Sequence, residues 1–458
     1  MIKITHDQNT GLKLSYPEGA VLVPRGVTVS DPSGPGVSVD STVFGHVFNR
    51  GSIIGAIDGV NMYSGVVANK GTISAGHNGS GVYFGQDPYW PDGTLTNATL
   101  INRGVIQNGL YGFQFSGDSV VANIVNSGSI STRPLDPPHF RNWPPTDIEV
   151  TASSSAKVTV NNSGSMTGYD GIVITGAALN PRPYQPAVLD LSLRNSGSIV
   201  TDAATAHLSG DRVSLSLTNS GIMHSGEEVV DASAYQTLSA TITNRGDLSG
   251  ALKLSSSGSL SASVHNHGVM GSMFLSATSG DADITNHGLM TDIRLAGISA
   301  TLANFGTISG IVQVDYGASL AAQGRLGNVV DDGTITIAHD KLTLDSLSGS
   351  GMLFIGPNAT LDAGSISGPS INFLSGPHEK LMLEEPNSVS SLISGFGASD
   401  TIDLLGVHAV AASFAAGVLT VTDHSAGSLA LHFNGDYAIS NFVLSSDHHG
   451  GTNVTWQS

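Results

Sequence analysis

The sequence predicts an all-β, right-handed parallel β-helix: a solenoid of about 11 to 13 coils followed by a C-terminal β domain. Three observations predict it: a recurring Asn-x-Gly tripeptide, alternating apolar and polar residues before each copy, and short strand-like runs after it. The tripeptide starts at Asn49, Asn69, Asn102, Asn126, Asn162, Asn195, Asn219, Asn244, Asn266, Asn286 and Asn304, and Ile, Leu or Met always stands two residues after its Gly. Successive copies lie 18 to 36 residues apart. A repeat of that length marks an architecture in which each unit buries its apolar side only against its neighbours.

Within one repeat, runs such as Leu191-Ser192-Leu193-Arg194 and Ala282-Asp283-Ile284-Thr285 read as half-buried strands, because successive side chains of a strand point to opposite faces. Asn-x-Gly then supplies a tight turn, with Asn bonding its own backbone and Gly accepting positive φ. A second strand follows (Ser198-Ile199-Val200), and often a third (Ile311-Val312-Gln313-Val314). Coils of this kind stack at about 4.8 Å, so the asparagines fall above one another and their amides can bond along the stack. Asn195, Asn219, Asn244, Asn266, Asn286 and Asn304 are read as such a structural stack.

Residues 1–40 alternate without the tripeptide and read as N-terminal cap strands, since a solenoid end exposes unpaired edges. Residues 41–345 form the solenoid, and 346–458, where the tripeptide stops, a C-terminal β domain. The three longest intervals carry insertions rich in Pro and aromatic residues. Tyr83, Tyr89 and Trp90 lie in the first, Phe140 and Trp143 in the second, and Tyr184 in the third. Insertions at equivalent points of a coil would leave from one side. Rings on Pro-stiffened loops read as binding residues for carbohydrate or protein, or as a lid over the solenoid's own apolar surface.

Composition bounds the function. The net charge of −18 argues against nucleic acid and anionic membrane surfaces. No apolar run approaches a transmembrane span, and the start lacks the charged and apolar regions of a classical signal peptide. Cys is absent, and 57 Gly with only 12% charged residues suit an extracellular repeat protein. His267 and His287 share a slot one coil apart, which reads as a solvated turn position or a metal-bridging pair. Acidic residues such as Glu227, Glu228, Asp231, Asp281 and Asp283 are scattered along the chain. No base or metal triad accompanies them, so catalytic residues are not assigned.

The Asn-x-Gly-x-Ile coils resemble those of bacterial autotransporter passengers and large secreted adhesins. The segment Ile393-Ser394-Gly395-Phe396-Gly397-Ala398-Ser399-Asp400-Thr401-Ile402-Asp403-Leu404 is similar to one near the C-terminus of serralysin-like proteins exported by type I secretion. That resemblance implies an uncleaved C-terminal export signal and Ca²⁺ as a cofactor, with Asp400 and Asp403 the positions to match. The Gly-Gly-x-Gly-x-Asp array that makes dense Ca²⁺ sites is absent. Together these features lead us to expect a secreted bacterial structural or adhesive surface protein. Its expected partners are a cell-surface glycan or further copies of itself, assembled as filaments or a surface layer. The alternative is a carbohydrate-active β-helix lyase or hydrolase, or a glycan-binding module.

The two readings of the insertions separate by experiment. Trp90→Ala and Trp143→Ala are expected to leave the melting temperature nearly unchanged while weakening glycan binding or self-association. Rings that serve as a lid would instead cost about 3–5 kcal/mol each in thermal unfolding, with binding intact.

Overall fold

The computed structural model describes residues 1–15, 19–40, 44–85, 95–133, 144–176, 187–424 and 427–457. Tyr89, Trp90, Phe140, Trp143 and Tyr184 lie outside them. Among the described residues there is no α-helix; the chain is a parallel β-solenoid. It divides into two compact units, residues 1–262 with 268–271, and residues 263–267 with 272–458.

In the first unit each coil has three faces. Face A ends on the repeat asparagine (Phe44–Asn49, Ser64–Asn69), and face B follows Asn-x-Gly (Ser52–Gly55, Thr72–Ser74). Face C comes after a second corner (Val60–Met62, Ser80–Gly85). All coil-to-coil pairing is parallel and in register, so Asn49 pairs with Asn69, Asn69 with Asn102, and so on to Asn219 with Asn244. The apolar residue two places after Gly forms its own inward column, Ile53, Ile73, Ile106, Ile130, Met166, Ile199 and Met223, each fully buried. Aliphatic columns on the other two faces meet it. On face C, Phe84, Phe113 and Phe115 widen the core, with ring centroids 4.2 to 5.6 Å apart.

The repeat asparagines are buried, at most 3% exposed, and in the first unit their amides form a continuous ladder. Each Nδ2 donates to the Oδ1 of the next asparagine at 2.8–2.9 Å from Asn49 through Asn244. The same Nδ2 donates to a backbone carbonyl in the next coil, as Asn49 does to Thr72 at 2.9 Å, while Oδ1 also accepts a backbone N–H, as Asn49 does from Gly51 at 3.1 Å. Buried polar groups cost free energy unless paired, and here each one is paired along the stack. In the second unit Asn266, Asn286 and Asn304 continue the pattern at 2.8 and 2.7 Å.

The repeat glycine has a different cause from the one expected. None of these glycines has positive φ. A Cβ on Gly71 would sit 2.0 Å from the carbonyl oxygen of Gly51, and one on Gly104 2.0 Å from that of Gly71. Glycine is required because the turns stack backbone to backbone, leaving no volume for a side chain.

The first 40 residues are already laddered into the three faces: Ile2 pairs with Val21, Leu12 with Val37, and Val29 with Ile53. They are coils that lack the asparagine, with Val23 opposite Asn49. In the second unit, parallel stacking runs past residue 345 to Thr401–Leu404. Asp331-Asp332-Gly333-Thr334-Ile335 forms one of its corners, with the Gly333 N–H donating to Asp331 Oδ1 at 3.0 Å. Asp331 is fully buried and pairs with Val314, in a different column from the asparagines, and burial pushes its carboxyl up to about 7.

After Leu404 the strands turn antiparallel. Ala409–Ala415, Val418–Asp423 and Gly427–Asn434 form a meander, and Phe442–Ser446 pairs with Thr452–Trp456. The last parallel strands are covered by this module: Leu392–Ser394 pairs with His432–Asn434, and Thr401–Leu404 with Thr452–Thr455. Phe396, Phe433, Tyr437, Phe442 and Trp456 pack together beneath it, with centroid separations of 5.1 to 6.5 Å. The C-terminal module is thus the cap that a solenoid edge needs.

Replacing Asn219 with Leu removes a buried partner from Asn195 and from Asn244 at once. Urea unfolding should show a loss of about 1–3 kcal/mol for each group left short. Gly221→Ala, whose Cβ would meet the Gly197 carbonyl at 2.1 Å, should destabilise as well.

Candidate functional site

The insertions single out face C of the first unit. Residues 86–94 leave from Gly85, the end of a face C strand, and lead to face A at Leu95. Residues 177–186 do the same between Gly176 and Val188. Residues 134–143 occupy the other corner, leading from face B into the face C strand that starts at Thr146. The insertions therefore do not all leave from one corner: two follow the end of a face C strand, and one precedes the start of a face C strand.

The outward side chains of face C form one column in register: Asn61, Tyr83, Gln114, Glu149, Val173, His207 and Asp231. Neighbours stand about 4.8 Å apart, the pitch of the coils. Tyr83 is half-buried, and its hydroxyl lies 2.8 Å from Ser116 Oγ. Ser80 Oγ donates to Gln114 Oε1 at 2.9 Å, and Gln114 Nε2 to Glu149 Oε2 at 3.2 Å. The Tyr111 hydroxyl also bonds to the Glu149 carboxyl. Further along, His207 Nδ1 lies 3.2 Å from Asp231 Oδ2, and Lys253 Nζ lies 3.8 Å from Asp231 Oδ1.

Burial pushes the Glu149 carboxyl up to about 7 against the hydrogen bonds from Tyr111 and Gln114. Burial likewise raises Asp170, and it lifts the fully buried Asp147 well above the usual range. Its hydrogen bond to Asp231 raises the His207 imidazole, and the same bond lowers Asp231. The face thus offers a buried carboxyl raised to about 7, an amide, two hydroxyls and an imidazole–carboxylate pair in line. That set can donate to and accept from a polyhydroxylated ligand, beside the Tyr83 ring.

The other sequence candidates fall in the second unit. Asp403 accepts from Lys380, its Oδ2 2.8 Å from Nζ. Asp400 Oδ2 accepts the Gly397 N–H at 2.7 Å, and burial with a hydrogen bond to Glu379 pushes the Asp400 carboxyl up to about 8. A Ca²⁺ site needs converging ionised oxygens. Lys380 engages only Oδ2 of Asp403, and no group of three His, Cys, Asp or Glu among the described residues is placed to hold a metal. The His267 and His287 rings stack on each other at 4.9 Å, and Phe305 stacks on His287 at 4.9 Å. These rings pack face to face along an exposed corner.

No protein-family model matches the chain, and no curated protein matches it in sequence. Among the described residues no helix is long and apolar enough to cross a membrane.

The buried acids set a pH dependence. Glu149, Asp331 and Asp400 hold in the folded chain a proton that the unfolded chain releases near its ordinary carboxylate value. Stability is therefore full only below the ordinary carboxylate range, and it falls as pH rises from there until about 7 to 8. Melting curves should show this decline, and Glu149→Gln, which preserves the size of the side chain, should flatten part of it.

Proposed function

We propose that this chain is an extracellular adhesive repeat protein whose face C binds a carbohydrate along the coil stack. One observation carries the reading: the in-register column from Tyr83 to Asp231 runs along face C, whose strands flank all three insertions in sequence. A ligand built from repeating hydroxylated units meets hydrogen-bonding groups at a constant step, and an aromatic ring adds stacking. The acidic residues of the face favour a neutral or amino sugar over a uronate at this site. Export through the C-terminal segment, as the 393–404 resemblance suggests, is part of the proposal.

Two other readings have less support. Growth by addition of further copies would need free strand edges, and the last parallel strands already pair with 432–434 and 452–455. A glycoside hydrolase needs two carboxyls about 5 to 9.5 Å apart. The outward carboxyls of the column, Glu149 and Asp231, are three coils apart, about 14 Å at this pitch.

The test is a glycan array followed by titration of the best ligand. Tyr83→Ala and Glu149→Gln should each weaken binding about tenfold, while a face B variant, Ile54→Ser, leaves it unchanged. Equal affinity in all three variants would remove face C from the binding reaction.

A further inference from the structure

A second surface of the first unit has the opposite electrostatic character. The residue between the repeat Asn and Gly points to solvent, and in three successive coils it is Arg50, Lys70 and Arg103, all exposed. The N–H groups of Lys70 and Arg103 donate to the Asn49 and Asn69 carbonyls at 2.7 Å, which holds the three residues one strand spacing apart, about 4.8 Å. Among the described residues no carboxylate forms an ion pair with any of them. Of the eleven tripeptides, four carry Arg or Lys in this slot and none carries Asp or Glu, although acids outnumber bases 36 to 18 in the chain. The row is a positive line on a negative protein.

The outer side of face A beside this row is apolar and aromatic. Phe44, His46 and Phe48 alternate outward on the strand that leads to Arg50. Phe44 is 51% and Phe48 36% exposed. Their rings lean on His46 at centroid distances of 5.4 and 6.3 Å. In the next coil Val66 and Ala68 pair with His46 and Phe48, so the apolar strip continues along the stack.

We propose that this surface docks an acidic polysaccharide lying along the coil stack. Each anionic group would meet one cation of the row, and the sugar rings would lie against Phe48 and its neighbours. Charge complementarity selects the ligand class. A single file of cations at a fixed step fits a linear polymer with one acidic group per sugar, whose extended chain advances by a similar step. The chain's net negative charge repels the same polymer elsewhere, so the row sets where it lands. A bilayer would instead need a broad cationic plane, and the row is one residue wide. This surface is separate from face C and does not depend on that assignment.

The experiment titrates full-length protein into fluorescent polygalacturonate and heparin at low and moderate salt. Binding to one of them is expected, with affinity falling with salt as the release of about three counterions requires. Arg50→Ser, Lys70→Ser and Arg103→Ser together should weaken binding about tenfold or more with the melting temperature kept, because Ser already fills this slot in four other coils. Arg50→Lys with Arg103→Lys should retain binding, as should Tyr83→Ala. Absence of binding at low salt, binding insensitive to the triple Ser change, or preference for anionic lipid vesicles or duplex DNA would each overturn the proposal.

Discussion

The buried amide ladder is the interaction on which the rest of this molecule depends. A solenoid coil has no neighbours within its own plane, so its rotation relative to the next coil must be fixed by something directional. Aliphatic packing is not directional. The asparagine at each corner, bonded above and below at 2.8–2.9 Å, supplies the phase. The close backbone approach at the following glycine leaves no alternative seating. Once the corner is set, residues equally far from it align in columns, and this holds although the intervening lengths range from 18 to 36 residues.

Columns are therefore the unit in which this protein carries chemistry. The isoleucine and methionine column is its core, the line from Tyr83 to Asp231 its polar face, and the row from Arg50 to Arg103 its positive edge. None of these groups is local in sequence. Gln114 and Glu149, hydrogen-bonded to each other, lie 35 residues apart. Similar alignment brings buried acids together with hydrogen-bonding neighbours, so that several carboxyls stay protonated near neutrality.

This explains what the sequence could and could not reveal. The fold was legible because Asn, Gly and the following Ile sit within five residues, so each corner announces itself. Face C was not, because its register runs across insertions of unequal length, and only Tyr83 was singled out beforehand. The glycines were noticed for the wrong reason, since a sequence does not distinguish a positive φ from a missing volume. The coils beyond residue 345 were missed because the asparagine column ends at Asn304, which pairs with Gly324, and Gly324 one coil further with Leu342, so no tripeptide marks the later turns. Asp400 and Asp403 suggested Ca²⁺ only through the resemblance of segment 393–404; Lys380 and Glu379, which engage them, come from the preceding coil.

The contact between one turn glycine and the next has a consequence for how such a chain can change in length. Asn must meet Asn and Gly must meet Gly, so the face A strand tolerates no gain or loss of single residues. A whole coil, by contrast, carries its own Asn, Gly and inward Ile, and copying it places each of these against an identical neighbour. Length in this protein is quantised: tandem duplication is a silent edit to the stack, while a one-residue slip breaks it. The corners bordering face C are exempt from that rule, and they are where this chain carries its extra residues.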